Sequence, residues 1–426
     1  MAYPLTMPMR IKLQEYGEPI ILQTENIDLY KLAEVNNHWR RTLGLPNDPI
    51  QVEDIGNGFL KLRAKGITGV VRIAEIDIEI TPKFLNAVDG SWQIVLWRIL
   101  TVVEGGYIDD NLTTASQLKA MPMPDLLAEI FLSSYSKGAG RGLPRCYLTE
   151  EGAGNILRGK LDITRLSEWV INPWIVPYIA DTFSDNTVIA RLLRWSAETL
   201  ATTVRAPGRS RALREIAASL SHVGKRPPHQ FEAKKICLGP QHQGLEAAKL
   251  IGQLLLQGVG IHHANGEYKL SGFLWNSDTI YENYVYWLCR RAAVSRGKRI
   301  SKTELKFGHV IKGNGDRLKT TPDVVFYDEC GVAIAVTDAK YKHLGLLRPK
   351  AADTYQVITA GHVLGCKRVS LTYPVSIDRE PTVWLVPSAL GGEDIELTAL
   401  PINLMQLALP KGQDILIDII GSWLDS

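Results

Sequence analysis

The chain has 426 residues, of which 45% are hydrophobic and 22% are charged, and its formal net charge is +3. This length allows two or three domains, each with its own hydrophobic core, and the composition excludes disordered and fibrous classes. So small a net charge also excludes a protein that binds nucleic acid through charge alone.

The five cysteines are scattered, with no C-x-x-C pair and no histidine at zinc-finger spacing. The sequence therefore predicts neither a disulfide framework nor a zinc site. No apolar run approaches the ~18 residues that span a bilayer, and the N-terminus lacks the apolar core of a secretion signal. We expect a cytoplasmic protein with no membrane contact.

The first part of the chain, to about residue 84, is predicted to be β-rich. It contains the short alternating runs IKLQEY, GFLKLRAKG and GVVRIAEIDIEITPKF, punctuated by Gly and Pro. In the last run Asp77 and Glu79 alternate with isoleucines, which is typical of an antiparallel strand with one exposed face. We assign residues 1–125 to a β-rich N-terminal region.

From Ser91 to about Leu220 apolar residues recur three and four apart, which predicts helices. The clearest are WQIVLWRILTVVEG, MPDLLAEIFLSSYSKG and DNTVIARLLRWSAETLATTVRA, and GLEAAKLIGQLLLQG follows later. One interruption, NILRGKLDITR, is predicted to be a loop and a strand. We assign residues 126–265 to a mainly helical middle region, with a soft boundary near residues 260–272.

The last region, residues 266–426, begins with a predicted helix at Ser277–Ser295. From Asp323 onward the patterns predict strand, turn, strand, helix, strand and strand, which is an α/β unit. The fold class expected for the whole chain is therefore α/β, as an α+β multidomain protein.

Two of these strands, VVFYD and VAIAVTDAKYK, are predicted to form a hairpin in which Gly331 supplies a positive φ. With a two-residue loop of Cys330 and Gly331, Asp323 lies directly opposite Asp338, about 5 Å away between Cβ atoms. A four-residue loop gives the same pairing, whereas a three-residue loop without a bulge puts the aspartates on opposite faces. Lys340 shares the face of Asp338 in any register, because side chains alternate.

Two adjacent carboxylates repel each other unless a positive charge lies between them. A divalent cation with oxygen ligands, Mg²⁺ or Mn²⁺, fits this position. Lys340 would then orient or deprotonate an attacking water and stabilise charge on a phosphate. The pattern predicts metal-assisted phosphodiester hydrolysis; the alternative is a plain ion pair of Asp338 with Lys340 at the end of a sheet.

The hairpin resembles the core of PD-(D/E)xK restriction-endonuclease-like proteins. The resemblance implies that Asp323 and Asp338 bind Mg²⁺ and that Lys340 is the catalytic lysine. Such folds often add an acidic residue from the preceding helix and a glutamine from the following one. Here these are Glu282 in IYENYVYWLCRR, as a further metal ligand, and Gln356 in ADTYQVITAGHVLG.

The segments GVVRIAEIDIEITPKF and NILRGKLDITR, together with the IYENYV helix, the hairpin and DTYQ, resemble the McrC family. This is the nuclease subunit of the McrBC modification-dependent, 5-methylcytosine-specific restriction system. The resemblance implies that residues 1–125 dock on a hexameric McrB-like AAA+ GTPase and stimulate it. It also implies that the C-terminal domain cuts double-stranded DNA, while the partner reads the modified cytosine.

The segment Gly154 to Leu161 has the G-x-x-x-x-G-K spacing of a phosphate-binding loop, but Leu161 replaces the Ser or Thr that would hold Mg²⁺. We therefore expect no nucleotide on this chain. Two alternatives to the restriction subunit stay open: a stand-alone PD-(D/E)xK repair or recombination nuclease, and a nuclease-dead adaptor of an AAA+ NTPase.

Overall fold

The computed structural model describes residues 9–23, 29–73, 76–85, 91–106, 121–140, 142–257, 271–308, 311, 318–342, 348–387 and 393–426. The chain divides into two compact units, and helices and strands occur in both, which confirms the predicted α/β class. Unit 1 consists of residues 1–123 and 258–426, and unit 2 of Pro124–Gln257. The boundaries of the three predicted regions remain a prediction, and most of the expected boundary at 260–272 lies outside the described residues.

The elements are named in chain order. The strands are β1 (Met9–Gln14), β2 (Ile20–Gln23), β3 (Ile50–Gly56), β4 (Phe59–Ala64), β5 (Ile67–Ile73), β6 (Ile76–Thr81), β7 (Cys146–Gly154), β8 (Lys160–Leu161), β9 (Val176–Ser184), β10 (Ser271–Asn276), β11 (Arg299–Ser301), β12 (Leu305–Lys306), β13 (Lys319–Thr320), β14 (Val324–Tyr327), β15 (Ala333–Ala339), β16 (Arg368–Val375), β17 (Thr382–Val386) and β18 (Ile395–Asn403). The helices are α1 (Leu29–Thr42), α2 (Trp92–Val103), α3 (Met123–Ala139), α4 (Leu166–Ile171), α5 (Val188–Thr203), α6 (Pro207–Ser219), α7 (Gln230–Lys234), α8 (Glu246–Gln257), α9 (Ser277–Val294), α10 (Ala351–Leu364) and α11 (Gly412–Asp425).

The first sheet of unit 1 has the order β1-β6-β5-β10, with β1 parallel to β6 and the other pairs antiparallel. Every residue of β6 is buried, so the predicted strand with one exposed face was wrong. The reason is that helices cover both faces: the isoleucines of β6 share a hydrophobic core with α1, and Gln93 of α2 donates to Glu79 on the other face. The acidic residues of β6 have basic neighbours on β1, because the register pairs Arg10 with Asp77 and Lys12 with Glu79. Burial raises the pKa of Glu79, and the charge of Lys12 opposes that rise.

Strand β10 joins this sheet although it lies almost two hundred residues after β5 in the sequence, since the register pairs Leu274 with Gly69. The two backbones approach so closely at Gly69 that a Cβ there would lie 2.1 Å from the carbonyl oxygen of Phe273. Gly69 also has a φ of +131°, a conformation that favours glycine. The residue thus allows the two parts of unit 1 to share one sheet.

The second sheet of unit 1 has the order β11-β14-β15-β16-β18-β17, in which β15, β16 and β18 are parallel. The order predicted from Asp323 onward is present as β14, β15, α10, β16 and β17, and the unpredicted elements β18 and α11 follow it. Helix α10 covers one face, where Val336 and Val369 pack with Val357 in a buried core. On the other face the ring of Phe326 packs against Trp423 of α11.

Unit 2 contains three of the four predicted helices, as α3, α5 and α8, and a three-stranded sheet, β7-β9-β8; the fourth, α2, belongs to unit 1. The sheet was only partly predicted, because β7 is a polar, largely exposed strand and β9 has a single buried residue, so neither shows the apolar alternation of a half-buried strand. Their backbones pair along nine residues each, from Cys146 with Ser184 to Gly154 with Val176. In the described part of the chain, no helix is long and apolar enough to cross a bilayer.

The close approach at Gly69 gives a test of the shared sheet. We expect Gly69→Ala to lower the free energy of unfolding by at least about 2 kcal/mol more than Gly58→Ala, measured by urea denaturation, because the new methyl group would overlap the Phe273 carbonyl. Gly58 is a matched control: its φ is +77°, but nothing lies within 4 Å of its added Cβ. Equal losses in the two variants would contradict the packing described.

Candidate active site

Strands β14 and β15 form the predicted hairpin, and their register brings two aspartates together. The pairs near the site include Val324 with Thr337 and Val325 with Val336. Continuing this register by one step places Asp323, just before β14, opposite Asp338 on β15. The predicted pairing of the two aspartates is therefore confirmed.

Three residues form the loop that closes the hairpin. The sequence left the loop length open, and the backbone N–H of Asp328 donates to the carbonyl of Val332 at 3.0 Å, which encloses Glu329, Cys330 and Gly331. Gly331 has a φ of +85°, as such a turn requires. Without a bulge, a loop of this length would put the two aspartates on opposite faces, so its effect on the register has to be compensated elsewhere.

A β-bulge provides that compensation. Tyr327 pairs with Ala333 and Phe326 pairs with Ala335, so Ile334 is an extra residue on β15. Compared with a two-residue loop, the third loop residue shifts the pairing by one step, and the bulge shifts it back by one step. The two shifts cancel, so the side chains face the same way as in a hairpin with a two-residue loop. The aspartates share a face because of this bulge.

Asp338 is the most enclosed member of the site, with only 2% of the residue exposed. The ammonium of Lys340 lies 2.5 Å from its Oδ2 atom, and the same ammonium donates to Oε1 of Gln356 at 3.2 Å. The ion pair that was the alternative interpretation is therefore present. Even so, no described residue gives Asp338 Oδ2 a well-aligned hydrogen bond, so a buried carboxylate oxygen keeps acceptor capacity.

Asp323 lies between Asp338 and Glu282. Its Oδ2 accepts the backbone N–H of Ala339 at 2.8 Å, and its Oδ1 lies 3.4 Å from the ammonium of Lys302, which also pairs closely with Glu282 Oε1. Burial raises the pKa of Asp323, and the nearby charge of Asp338 raises it further. Burial also raises the pKa of Glu282, where Lys302 opposes the rise and Asp323 adds to it.

Helix α10 brings a further acid to the site. Asp353 lies in the first turn of this helix, with Lys350 as the N-cap. It is buried, and both its carboxylate oxygens accept from the ammonium of Lys342, at 2.8 and 2.9 Å. Lys340 lies 4.0 Å from the same carboxylate. Asp353 thus holds one lysine and lies near another.

The predicted site residues all belong to one chain of contacts. Sequence reasoning did not find Lys302, which no motif marks, nor the role of Asp353 as a partner of lysines. The predicted members, in order of contact, are Gln356, Lys340, Asp338, Asp323 and Glu282.

The donor set of the cluster suits a hard divalent cation, because it consists of adjacent carboxylates with raised pKa values and a buried oxygen that has spare acceptor capacity. As the side chains stand, the described residues contain no group of three or more His, Cys, Asp or Glu arranged to hold a metal ion. The two ammonium groups of Lys302 and Lys340 lie among the carboxylates instead.

Comparison with known proteins identifies relatives. A family model described as McrBC 5-methylcytosine restriction system component matches residues 62–374. The chain is similar in structure to a chain of a refined half-complex from a tetradecameric assembly of Thermococcus gammatolerans McrB AAA+ hexamers with bound McrC. The TM-score is 0.66 at 13% identity, covering 97% of this chain and 100% of that one.

A second similar structure is the cryo-EM structure of the Thermococcus gammatolerans McrBC complex. The TM-score is 0.47 at 14% identity, covering 67% of this chain and 88% of that one. At identities this low, the structural likeness concerns the fold. Comparison with curated proteins gave no match.

Because the carboxylates are crowded, we expect the protein to become more stable when the charge of one of them is removed, and the gain should depend on pH. Because the folded pKa of Asp323 is raised above its ordinary 3.8, its contribution to stability is complete below that value and is lost as pH rises through the folded pKa. We expect Asp323→Asn to raise the melting temperature at neutral pH on the order of 2 °C. The gain should shrink as pH falls toward 3.8.

Circular dichroism melting curves of both proteins across this pH range are the measurement. Asp414→Asn, which changes an exposed aspartate of α11, is the control and should show no such gain. A melting temperature that is unchanged or lower in Asp323→Asn at neutral pH would refute the crowding of charges.

Proposed function

The chain belongs to the family of McrBC 5-methylcytosine restriction system components, and we propose that it is the DNA endonuclease subunit of a McrBC-like complex in the cytoplasm. In this proposal unit 1 hydrolyses phosphodiester bonds of double-stranded DNA with Mg²⁺. The observation that carries the proposal is the hairpin register that sets Asp323 beside Asp338, with Lys340 on the same face.

Asp323 and Asp338 would hold the Mg²⁺ ion, with Glu282 as a further ligand. Three features support this assignment: the carboxylates are adjacent, burial and mutual charge raise the pKa of Asp323, and Asp338 has a buried oxygen with spare acceptor capacity. When bound, the ion would polarise the scissile phosphate and the attacking water. Its charge would take over the neutralising role that Lys302 has in the described conformation.

Lys340 would act on the reacting groups through its ammonium. Asp338 and Gln356 hold that ammonium from two sides, so its position is fixed before substrate arrives. A fixed positive charge can stabilise the charge that develops on phosphate oxygens, and it needs no reorganisation during the reaction. Lys302 and Lys342, whose side chains are 47% and 44% exposed, border the cluster and would contact the DNA backbone.

The partner in this proposal is a McrB-like AAA+ GTPase hexamer, which would read the modified cytosine and be stimulated by the chain. Residues 1–125 remain the docking region predicted from the resemblance.

A second candidate surface lies in unit 2, at α4 and the turn that follows it. There Val170, Ile171 and Trp174 are 80%, 84% and 83% exposed. Apolar side chains this exposed are typical of a surface that another protein covers.

Substitutions in the acidic cluster test its role in catalysis. We expect Asp338→Asn and Lys340→Ala each to lower the rate of Mg²⁺-dependent DNA cleavage by at least about 100-fold, because each removes a charge from the reacting centre. Single-turnover cleavage by the full chain with its ring partner and GTP is the measurement. Stimulation of the partner's GTPase should stay unchanged, since neither residue lies on the proposed docking surfaces.

Lys306→Ala is the control, because Lys306 is an exposed lysine of β12 that has no contact with the cluster among the described residues. Undiminished cleavage in Asp338→Asn would sink the site assignment. Rapid Mg²⁺-dependent cleavage by the chain without any partner would favour the stand-alone nuclease. Strong GTPase stimulation with no cleavage by the unaltered chain would favour the nuclease-dead adaptor.

Substitutions on the exposed apolar surface of unit 2 test its role in docking. We expect the double variant Ile171→Ser, Trp174→Ser to weaken binding to the ring partner at least about tenfold, because large apolar side chains at an interface contribute most of its binding energy. Isothermal titration calorimetry measures the affinity. Phe231→Ser removes an exposed aromatic residue elsewhere in unit 2 and is the control. Wild-type affinity in the double variant would exclude this surface.

A further inference from the structure

The ITPKF segment (Ile80–Phe84) contacts the part of the chain that carries the proposed catalytic lysine. The ammonium of Lys83 donates a hydrogen bond to the backbone carbonyl of Tyr341 at 2.6 Å, and it lies 4.1 Å from the centroid of the Tyr341 ring. Tyr341 directly follows Lys340. Lys83 and Tyr341 are 258 residues apart in the sequence, so only the folded structure brings them together.

A buried carboxylate completes this contact. Glu15 accepts the hydroxyl of Tyr341 at 2.7 Å and the backbone N–H of Lys83 at 3.2 Å, both at Oε2. Only 1% of Glu15 and 8% of Tyr341 are exposed. Burial raises the pKa of Glu15 to about 7, against the opposing effects of Tyr341 and Lys83. We name Glu15, Lys83 and Tyr341 the buried clamp.

The buried clamp contacts the chain just beyond the end of β15. Strand β15 ends at Ala339, and the backbone N–H of Lys340 makes one more bond, to the carbonyl of Thr372 at 2.9 Å. Beyond that bond, the backbone N–H of Lys342 donates to the carbonyl of Lys340 at 2.7 Å, which closes a tight turn centred on Tyr341, and Lys83 holds the carbonyl of Tyr341 itself. The clamp and this turn together replace the hydrogen bonds of the sheet at this point.

The two lysines beside Tyr341 contact the acidic cluster, whereas Tyr341 contacts the clamp. Lys340 reaches Asp338 and Gln356, and Lys342 reaches Asp353. This division accompanies the tight turn centred on Tyr341. Since Tyr341 is held at its hydroxyl, its ring and its carbonyl, the directions in which the neighbouring side chains leave the backbone are fixed as well.

We propose that Glu15 and Lys83 are positioning residues, which hold Lys340 in place for cleavage by fixing Tyr341 from the opposite side. The inference rests on the proposed nuclease function and adds to it a role for the ITPKF segment. Neither residue contacts the acidic cluster among the described contacts. Glu15 therefore acts on the reaction through Tyr341, and Lys83 acts through Tyr341 and through its charge, which is felt at Lys342.

If the contact only stabilised the fold, loss of packing and loss of the polar contacts would have the same effect on Lys340. The ring of Phe84 packs edge-on against Tyr341 with centroids 5.0 Å apart, so packing alone also joins the two segments. Phe84→Leu would weaken that packing and keep the polar contacts. Tyr341→Phe would remove only the hydroxyl that Glu15 accepts, and Lys83→Met would remove the bond to the carbonyl.

The experiment compares these three variants of the full chain by two methods. Nuclear magnetic resonance of chains labelled with [ε-¹³C]lysine follows the signal of Lys340, which Lys340→Arg identifies by removing it. Single-turnover DNA cleavage with the ring partner, Mg²⁺ and GTP gives the rate at saturating DNA and the DNA concentration at half-saturation. Melting temperatures show which assay temperatures keep every variant folded.

We expect Tyr341→Phe and Lys83→Met to shift the Lys340 signal and to lower the saturating rate at least tenfold, with the half-saturating DNA concentration changed less than twofold. Phe84→Leu should lower the melting temperature and leave both the signal and the rate near wild type. If Lys83→Met does not fold, Tyr341→Phe carries the test. The proposal is overturned if Tyr341→Phe leaves the Lys340 signal unchanged, or if Phe84→Leu shifts it equally.

The two methods separate this proposal from the one on which it rests. If the unaltered complex cleaves no DNA, the nuclease function fails, and the Lys340 signal still decides whether the clamp positions that lysine. If the unaltered complex cleaves DNA and Tyr341→Phe cleaves it at the same rate, the positioning role fails and the nuclease function stands.

Discussion

Three carboxylates, those of Glu282, Asp323 and Asp338, are held beside one another where the hairpin ends, and the rest of the site depends on this crowding. The bulge in β15 sets Asp323 opposite Asp338, and α9 brings Glu282 to them. Because like charges in a buried place repel, each needs a positive neighbour. Lys302 and Lys340 supply those charges in the described conformation. A binding site for a divalent cation requires this kind of unfavourable charge arrangement, and natural proteins accept its cost in stability at functional sites.

Much of the site could be predicted from the sequence, because its main constraints are local. The alternation of side chains puts Asp338 and Lys340 on one face whatever the loop, and the glycine marks the turn. The sequence left the loop length open and so could not decide the register alone. The loop has three residues, and the bulge at Ile334 keeps the two aspartates on one face. Nothing in the run VAIAVTD marks a bulge, since every residue in it but the aspartate suits a regular strand.

The remaining features arise from contacts between distant parts of the chain. Lys302 stands in an unremarkable polar segment, and only the fold brings it to Glu282 and Asp323. The burial of both faces of β6 follows from the packing of α1 on one face and α2 on the other, which a pattern within one strand does not show. The same holds for Lys83, which the sequence marked only by resemblance and which the structure places on Tyr341. Such contacts join the N-terminal sheet to the end of the hairpin and make unit 1 a single compact body.

Binding of a divalent cation by the crowded carboxylates can be seen in a crystal structure of the chain grown with Mn²⁺, because anomalous scattering locates the metal independently of any activity. We expect an anomalous peak between the carboxylates of Asp323 and Asp338, with the ammonium of Lys302 withdrawn from Asp323. A structure at saturating Mn²⁺ with no peak there, and with Lys302 still paired to Glu282 and Asp323, would contradict this expectation.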